Sequence, residues 1–156
     1  MIHFPREPLA LALAAALRGQ AVFGDAHNGL FLAGPRRTGK STFLQADLQP
    51  VLEAAGAVVA YVDLWADPRR DPGALIADAI ARALAPRLGV VSRAAKAAGL
   101  DSVTIAGALK IDTSKIGKID GVTLPDALRA LHEAAKAPVA LIVDEAQHAL
   151  TSEAGE

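Results

Sequence analysis

The stretch "FLAGPRRTGKSTFL" (Phe31–Leu44) decides how the rest of the chain is read. Gly34, Gly39, Lys40 and Ser41 stand at the spacing G-x-x-x-x-G-K-[ST], after an apolar run and before a segment with helical patterning. A chain that wraps a phosphate group must turn sharply and aim backbone N–H groups inward, and glycine permits both. A helix opening near Gly39 would point its positive end and free N–H groups at the anion. Lys40 is then expected on β- and γ-phosphate oxygens, Ser41 on Mg²⁺, and Thr42 against the α-phosphate. Pro35, Arg36, Arg37 and Thr38 complete the loop. Thr38 supplies backbone geometry, and the two arginines either add positive potential or simply face solvent. The plain structural alternative is a glycine-punctuated turn with a solvated lysine.

Working outward, "GLFLAG" (Gly29–Gly34) is a short apolar run bounded by glycines and predicts a buried strand. Before it, "LALALAAAL" (Leu9–Leu17) fits either an amphipathic helix from about Pro8 to Arg18 or a signal-peptide core. Its leader carries one Arg cancelled by one Glu, which suits the helix better. After the loop, "STFLQADLQPVLEAAG" predicts a helix closing at Gly56, kinked or split at Pro50. "AVVAYVDL" (Ala57–Leu64) reads as a second buried strand and "WADPRRDP" as a loop. Asp71 with Pro72 opens a further helix that breaks near Pro86. "DSVTIAGALKID" alternates like a strand, and "TSKIGKIDGV" offers a turn and a return strand, so a β-hairpin is expected over about 101–122. "TLPD" from Thr123 is a capping-box pattern that starts a helix to about Lys136. "PVALIVDEA" (Pro138–Ala146) is the most apolar strand of the chain. Apolar strands alternating with helices imply an α/β fold, a mostly parallel sheet covered on both faces.

Composition narrows the function classes. At 156 residues and 52% hydrophobic content the chain can bury one domain core. A net charge of −1 gives no overall basic field for nucleic acid. The absence of cysteine excludes disulfides, thiolate metal sites and a cysteine nucleophile, and is compatible with a reducing, cytoplasmic setting. No apolar run reaches the roughly 18 residues of a membrane span.

Hydrolysis of a bound nucleotide needs a held metal and an oriented water. The strand "ALIVDEAQH" ends in Asp144 and Glu145, which would emerge where ligands bind in open α/β sheets. Asp144 would hold the Mg²⁺ shell, largely through water, and Glu145 would polarise the attacking water. A solvated acidic strand end is the alternative. His148 could sense a γ-phosphate or sit on a helix surface. Trp65 could be core, or a base-stacking face if nucleic acid binds. Arg87, Arg93, Lys96, Lys110, Lys115 and Lys118 outnumber Asp101 and Asp112 along the hairpin arm, as a solvated face or as a DNA-contacting one. His3, His27 and His132 show no metal-ligand spacing.

"GPRRTGKST" together with "LIVDEAQ" resembles the AAA+ ATPases and their STAND relatives, especially the archaeal-ATPase-like group. "FPREPLALALAAAL" is similar to the Arg-Glu segment that helps frame adenine there, which makes Arg6 and Glu7 candidates. The resemblance implies a P-loop NTPase three-layer sandwich with an inserted hairpin, Mg²⁺-dependent ATP hydrolysis, and ATP/ADP as ligands. Lys40, Ser41, Asp144 and Glu145 would carry the roles given above, and a protein partner or a homo-oligomer would receive the output. Only twelve residues follow Asp144, so residues 1–156 are expected to match the N-terminal part of such a core, short of its sensor strand, arginine finger and lid. In that sheet order Gly29–Ala33 and Val139–Val143 would each present an unpaired edge. Two other functions fit the same motifs: a nucleic-acid-dependent motor or transposition-type ATPase, and a non-catalytic ATP-binding switch or scaffold.

Overall fold

The computed structural model describes residues 4–20, 26, 29–84, 86, 102–105, 109–112 and 123–151. The chain forms two compact units, Met1–Ala57 and Val58–Glu156. Together they make a mixed α/β protein with a small parallel sheet.

In the first unit, helix α1 (Glu7–Leu17) begins with Pro8 in its first turn and buries Ala10 and Ala14. It ends where Gly19 takes a left-handed φ of 66°, with Gly19 N–H on Ala16 O and Gln20 N–H on Ala15 O. A second helical run follows the glycine loop in three consecutive pieces: α2 (Lys40–Thr42), a π-helical stretch (Phe43–Leu48) and α3 (Gln49–Ala54). Pro50 does not end this run, although the helix type changes just before it. It sits at the second position of α3, behind the widened π turns, where Gln49 N–H bonds back to Leu44 O. The wider turn accommodates a proline whose ring would otherwise press on the carbonyl four residues back. Gly56, at φ 85°, closes the run as predicted, with Ala57 N–H on Leu52 O. Phe43, Leu48 and Leu52 form its buried side.

The expected strand at Gly29–Gly34 is not in a sheet. Residues 29–35 carry no regular structure, and Leu30, Phe31 and Leu32 are exposed, Phe31 at 98%. A strand exists only through a neighbour's backbone, and these residues have no ladder partner among the described ones.

The second unit is built on strands β1 (Val58–Asp63) and β4 (Val139–Asp144), paired in parallel from Val58↔Val139 to Asp63↔Asp144. Between them lie α4 (Pro72–Leu84), the strands β2 (Ser102–Ile105) and β3 (Leu109–Asp112), and α5 (Leu124–Ala135); α6 (His148–Thr151) comes last. Asp71 Oδ1 accepts from Ala74 N–H at 2.9 Å, as its cap role requires, and α4 ends two residues before Pro86. Thr123 caps α5 by accepting from Asp126 N–H at 3.3 Å. One face of the sheet is apolar: Val58 and Ala60 pack with Ala77 and Ile80 of α4 and with Ala127, Ala130 and Leu131 of α5, and Val62 packs with Leu75 and Ala79 of α4. Among the described residues β4 pairs with β1 alone, which leaves its other edge without a ladder.

The hairpin is tighter than expected. β2 and β3 pair antiparallel from Ser102↔Asp112 to Ile105↔Leu109, so both strands lie inside the segment that reads as one. The return strand predicted over 113–122 and most of the basic arm lie outside the described residues.

Candidate functional site

The glycine loop is exposed, and its geometry is set by its own residues. Arg37 and Gly39 both take left-handed backbone conformations, at φ 63° and 74°. Gly39 is the residue from which α2 starts, and its carbonyl accepts the first helical bond from Phe43 N–H at 2.9 Å. Left-handed residues just before a helix turn N–H groups toward one side, the geometry of an anion-binding concavity. Thr38 Oγ1 donates to Pro35 O at 2.9 Å and ties the loop across. Lys40 folds back over it, its Nζ donating to Gly34 O and Pro35 O at 2.9 Å each. Ser41 is exposed at the helix start, Thr42 half-buried, and Arg36 and Arg37 face solvent.

Arg6 holds this helix from outside the motif. Its Nη2 donates to Gly39 O at 2.7 Å, and its guanidinium lies 4.9 Å from the centre of the Phe43 ring. Its backbone N–H donates to Asp47 Oδ2 at 3.2 Å, and its Nε lies 3.8 Å from the same oxygen. Asp47 is only 6% exposed. Arg6 thus positions the loop-bearing helix, where the resemblance assigns it to framing adenine. Glu7 is exposed in the first turn of α1. The role of Asp47 is missed from the sequence, although one signal is present: it stands four residues after Phe43 on the apolar stripe of the helix.

The acidic strand end belongs to the second unit and is built differently. Asp144 is 3% exposed. Its Oδ2 accepts from the Tyr61 hydroxyl at 2.8 Å and its Oδ1 from Glu145 N–H at 2.9 Å. Parallel register places Asp63 directly beside it, and Asp63 Oδ1 accepts from Trp65 N–H at 2.8 Å. Leu64 N–H continues the ladder onto Asp144 O at 3.1 Å. Glu145 takes a left-handed φ of 54°, uncommon for a residue with a side chain, and its carbonyl accepts from His148 N–H at 3.0 Å. Its carboxylate is held by the Gln147 amide. His148 is half-buried, with its ring 4.0 Å from that of Trp65, and Trp65 is 53% exposed rather than core.

The residues expected to hold Mg²⁺ offer a hydroxyl and a carboxylate, the hard oxygen donors this ion takes. Among the described residues no group of three or more His, Cys, Asp or Glu forms a metal cage. No helix among the described residues is long and apolar enough to cross a membrane.

Comparison with known proteins adds no name: no family model matches the chain, and no curated protein or solved structure matches it.

Proposed function

We propose that the chain is a nucleotide-binding module that binds ATP with Mg²⁺ and hydrolyses it, on a P-loop NTPase core of the AAA+ or STAND kind. The observation that carries this reading is the loop itself. Two left-handed residues lead into a helix at Lys40, and the Lys40 ammonium rests on the loop's own carbonyls. A bound triphosphate would replace those carbonyls with anionic oxygens, a stronger partner for the same charge. Ser41 and Asp144 are the candidates to hold Mg²⁺, which when bound would neutralise charge on the β- and γ-phosphate oxygens. Glu145 would accept the proton of the attacking water as its oxygen bonds to the γ-phosphorus and ADP departs with the electrons of the broken bond. The reading places the protein in the cytoplasm, with a protein partner or a further copy of the chain as the recipient of the nucleotide signal.

The test is calorimetric titration of ATP into the wild-type chain and Lys40→Ala. Loss of a charge-assisted contact should weaken ATP binding about tenfold to a hundredfold. Equal affinity in the two proteins overturns the assignment.

A second reading, a switch that binds ATP with negligible turnover, is favoured by one contact. The Gln147 amide donates to one oxygen of the Glu145 carboxylate and would compete there with an attacking water. ATP binding without measurable phosphate release would select it.

A further inference from the structure

We infer that Tyr61 is a positioning residue for Asp144, and through it for the divalent cation; the inference rests on the nucleotide-binding reading above. Nothing in the motif spacing points to Tyr61, which lies 83 residues before its partner. The sheet brings the two together. In β1 the buried positions alternate, with Val58, Ala60 and Val62 on the helix-covered face, so Val59, Tyr61 and Asp63 point to the other. Parallel register sets Tyr61 opposite Ile142 and Asp63 opposite Asp144 on that same face. From there the Tyr61 hydroxyl reaches forward to Asp144 Oδ2 at 2.8 Å.

Three features make this contact a determinant of the carboxylate's orientation. Asp144 is nearly solvent-free, so water cannot replace a lost donor at little cost. Its two oxygens are fixed independently, one by the hydroxyl and one by Glu145 N–H, which removes rotation of the carboxylate plane. Each oxygen keeps a further lone pair, enough to accept from a metal-bound water without breaking either bond. A phenylalanine at this position would retain the ring and lose the hydroxyl that donates to Asp144. Oxygen partners behind a metal-directed carboxylate commonly change metal affinity by large factors when removed.

The experiment is calorimetry of ATP binding to the full chain across a range of Mg²⁺ concentrations, for wild type, Tyr61→Phe, Asp144→Asn and the double variant. Tyr61→Phe should leave ATP affinity in excess chelator unchanged and raise the Mg²⁺ concentration for half-maximal enhancement about tenfold. In the Asp144→Asn background the same change should add nothing, because the path through the carboxylate is already gone. Tyr61 is the only tyrosine, so 3-fluorotyrosine incorporation gives one fluorine signal at this site without any substitution. That signal should shift with Mg²⁺ and ATP together and not with ATP in chelator. Wild-type binding of ATP with a Mg²⁺ dependence that Tyr61→Phe leaves unaltered, or a fluorine signal blind to Mg²⁺, overturns the inference alone. Failure of the wild-type chain to bind ATP at all overturns the nucleotide reading, and the inference falls with it.

Discussion

The glycine loop and the acidic strand end are held by opposite means. In the glycine loop the bonds made by the loop's own residues span six residues or fewer, Thr38 to Pro35, Lys40 to Gly34 and Pro35, Phe43 to Gly39, and one distant bond, from Arg6 to Gly39 O, is added to them. The loop is open to solvent. At the acidic strand end the key carboxylate is buried, and one of its two donors comes from a different strand. A loop of the first kind is specified wherever its residues occur in order. A carboxylate of the second kind is specified only once the sheet has formed. The first is open to solvent, and the second is enclosed and preset by the sheet.

The sharpest way to break that contrast is at Glu145, which stands between the two kinds. Its backbone closes a local turn onto His148, yet its proposed work is chemical. Glu145→Gln keeps the shape and an acceptor for Gln147 but cannot take a proton. Steady-state phosphate release should fall about 10²–10⁴-fold while ATP affinity by calorimetry stays within about twofold. Turnover at the wild-type rate would mean that another group orients the water. Loss of ATP affinity would mean that the acidic end is part of the binding surface and not a preset catalytic element.

The next test asks whether the cores of the two units are equally firm. Each encloses large apolar side chains almost fully, Phe43 and Leu52 in the first unit, Ile80 and Leu131 in the second. Urea unfolding should show Phe43→Ala costing about 3–5 kcal/mol and Leu131→Ala about 2–5 kcal/mol. A cost below about 1 kcal/mol at either position would reveal a side chain that its surroundings do not grip. Such a result at Phe43 would also remove the ring on which Arg6 rests as a support for the loop.

How much was readable follows from the same contrast of local and distant causes. The spacing from Gly34 to Ser41 predicts a turn and a helix opening near Gly39, and the run after it predicts a close at Gly56; the helix starts at Lys40 and closes at Gly56. Asp71, Thr123 and Pro86 mark helix ends through their own side chains or missing N–H, and those ends also fall where expected. The run Leu30–Leu32 reads as a strand because it is apolar, but its state depends on a neighbour that its letters do not contain. The segment 101–112 reads as one strand because it alternates, and alternation alone conceals that 102–105 and 109–112 pair with each other. Tyr61 is hardest to read. Its one hint is a hydroxyl within an otherwise aliphatic strand, which needs a partner when enclosed, and sequence spacing cannot say which.

The smallest expected effect tests local specification by itself, away from the site. At the start of α5 the Thr123 hydroxyl accepts from Asp126 N–H and donates to Asp126 Oδ2, and Arg129 lies 2.9 Å from Oδ1. The Asp126 carboxyl is held below its ordinary value of 3.8, first by the Thr123 hydroxyl, against the opposing effect of desolvation, with the Arg129 charge adding to the lowering. A carboxylate whose folded value is depressed stabilises the fold most above its unfolded value. That contribution is lost as pH falls through the lowered folded value. Thr123→Ala removes the cap and the leading cause of the shift together, and should lower the melting temperature by about 2–4 °C at neutral pH. Because Asp126 then titrates nearer its ordinary value, the gap between variant and wild type should narrow as the pH is taken below the carboxylate range. Calorimetric melts at neutral pH and near pH 3 decide it. A gap that stays constant on acidification would assign the whole effect to the hydroxyl's acceptor bond, and the Asp126 charge would then add nothing to a helix start that is otherwise written entirely in its first four residues.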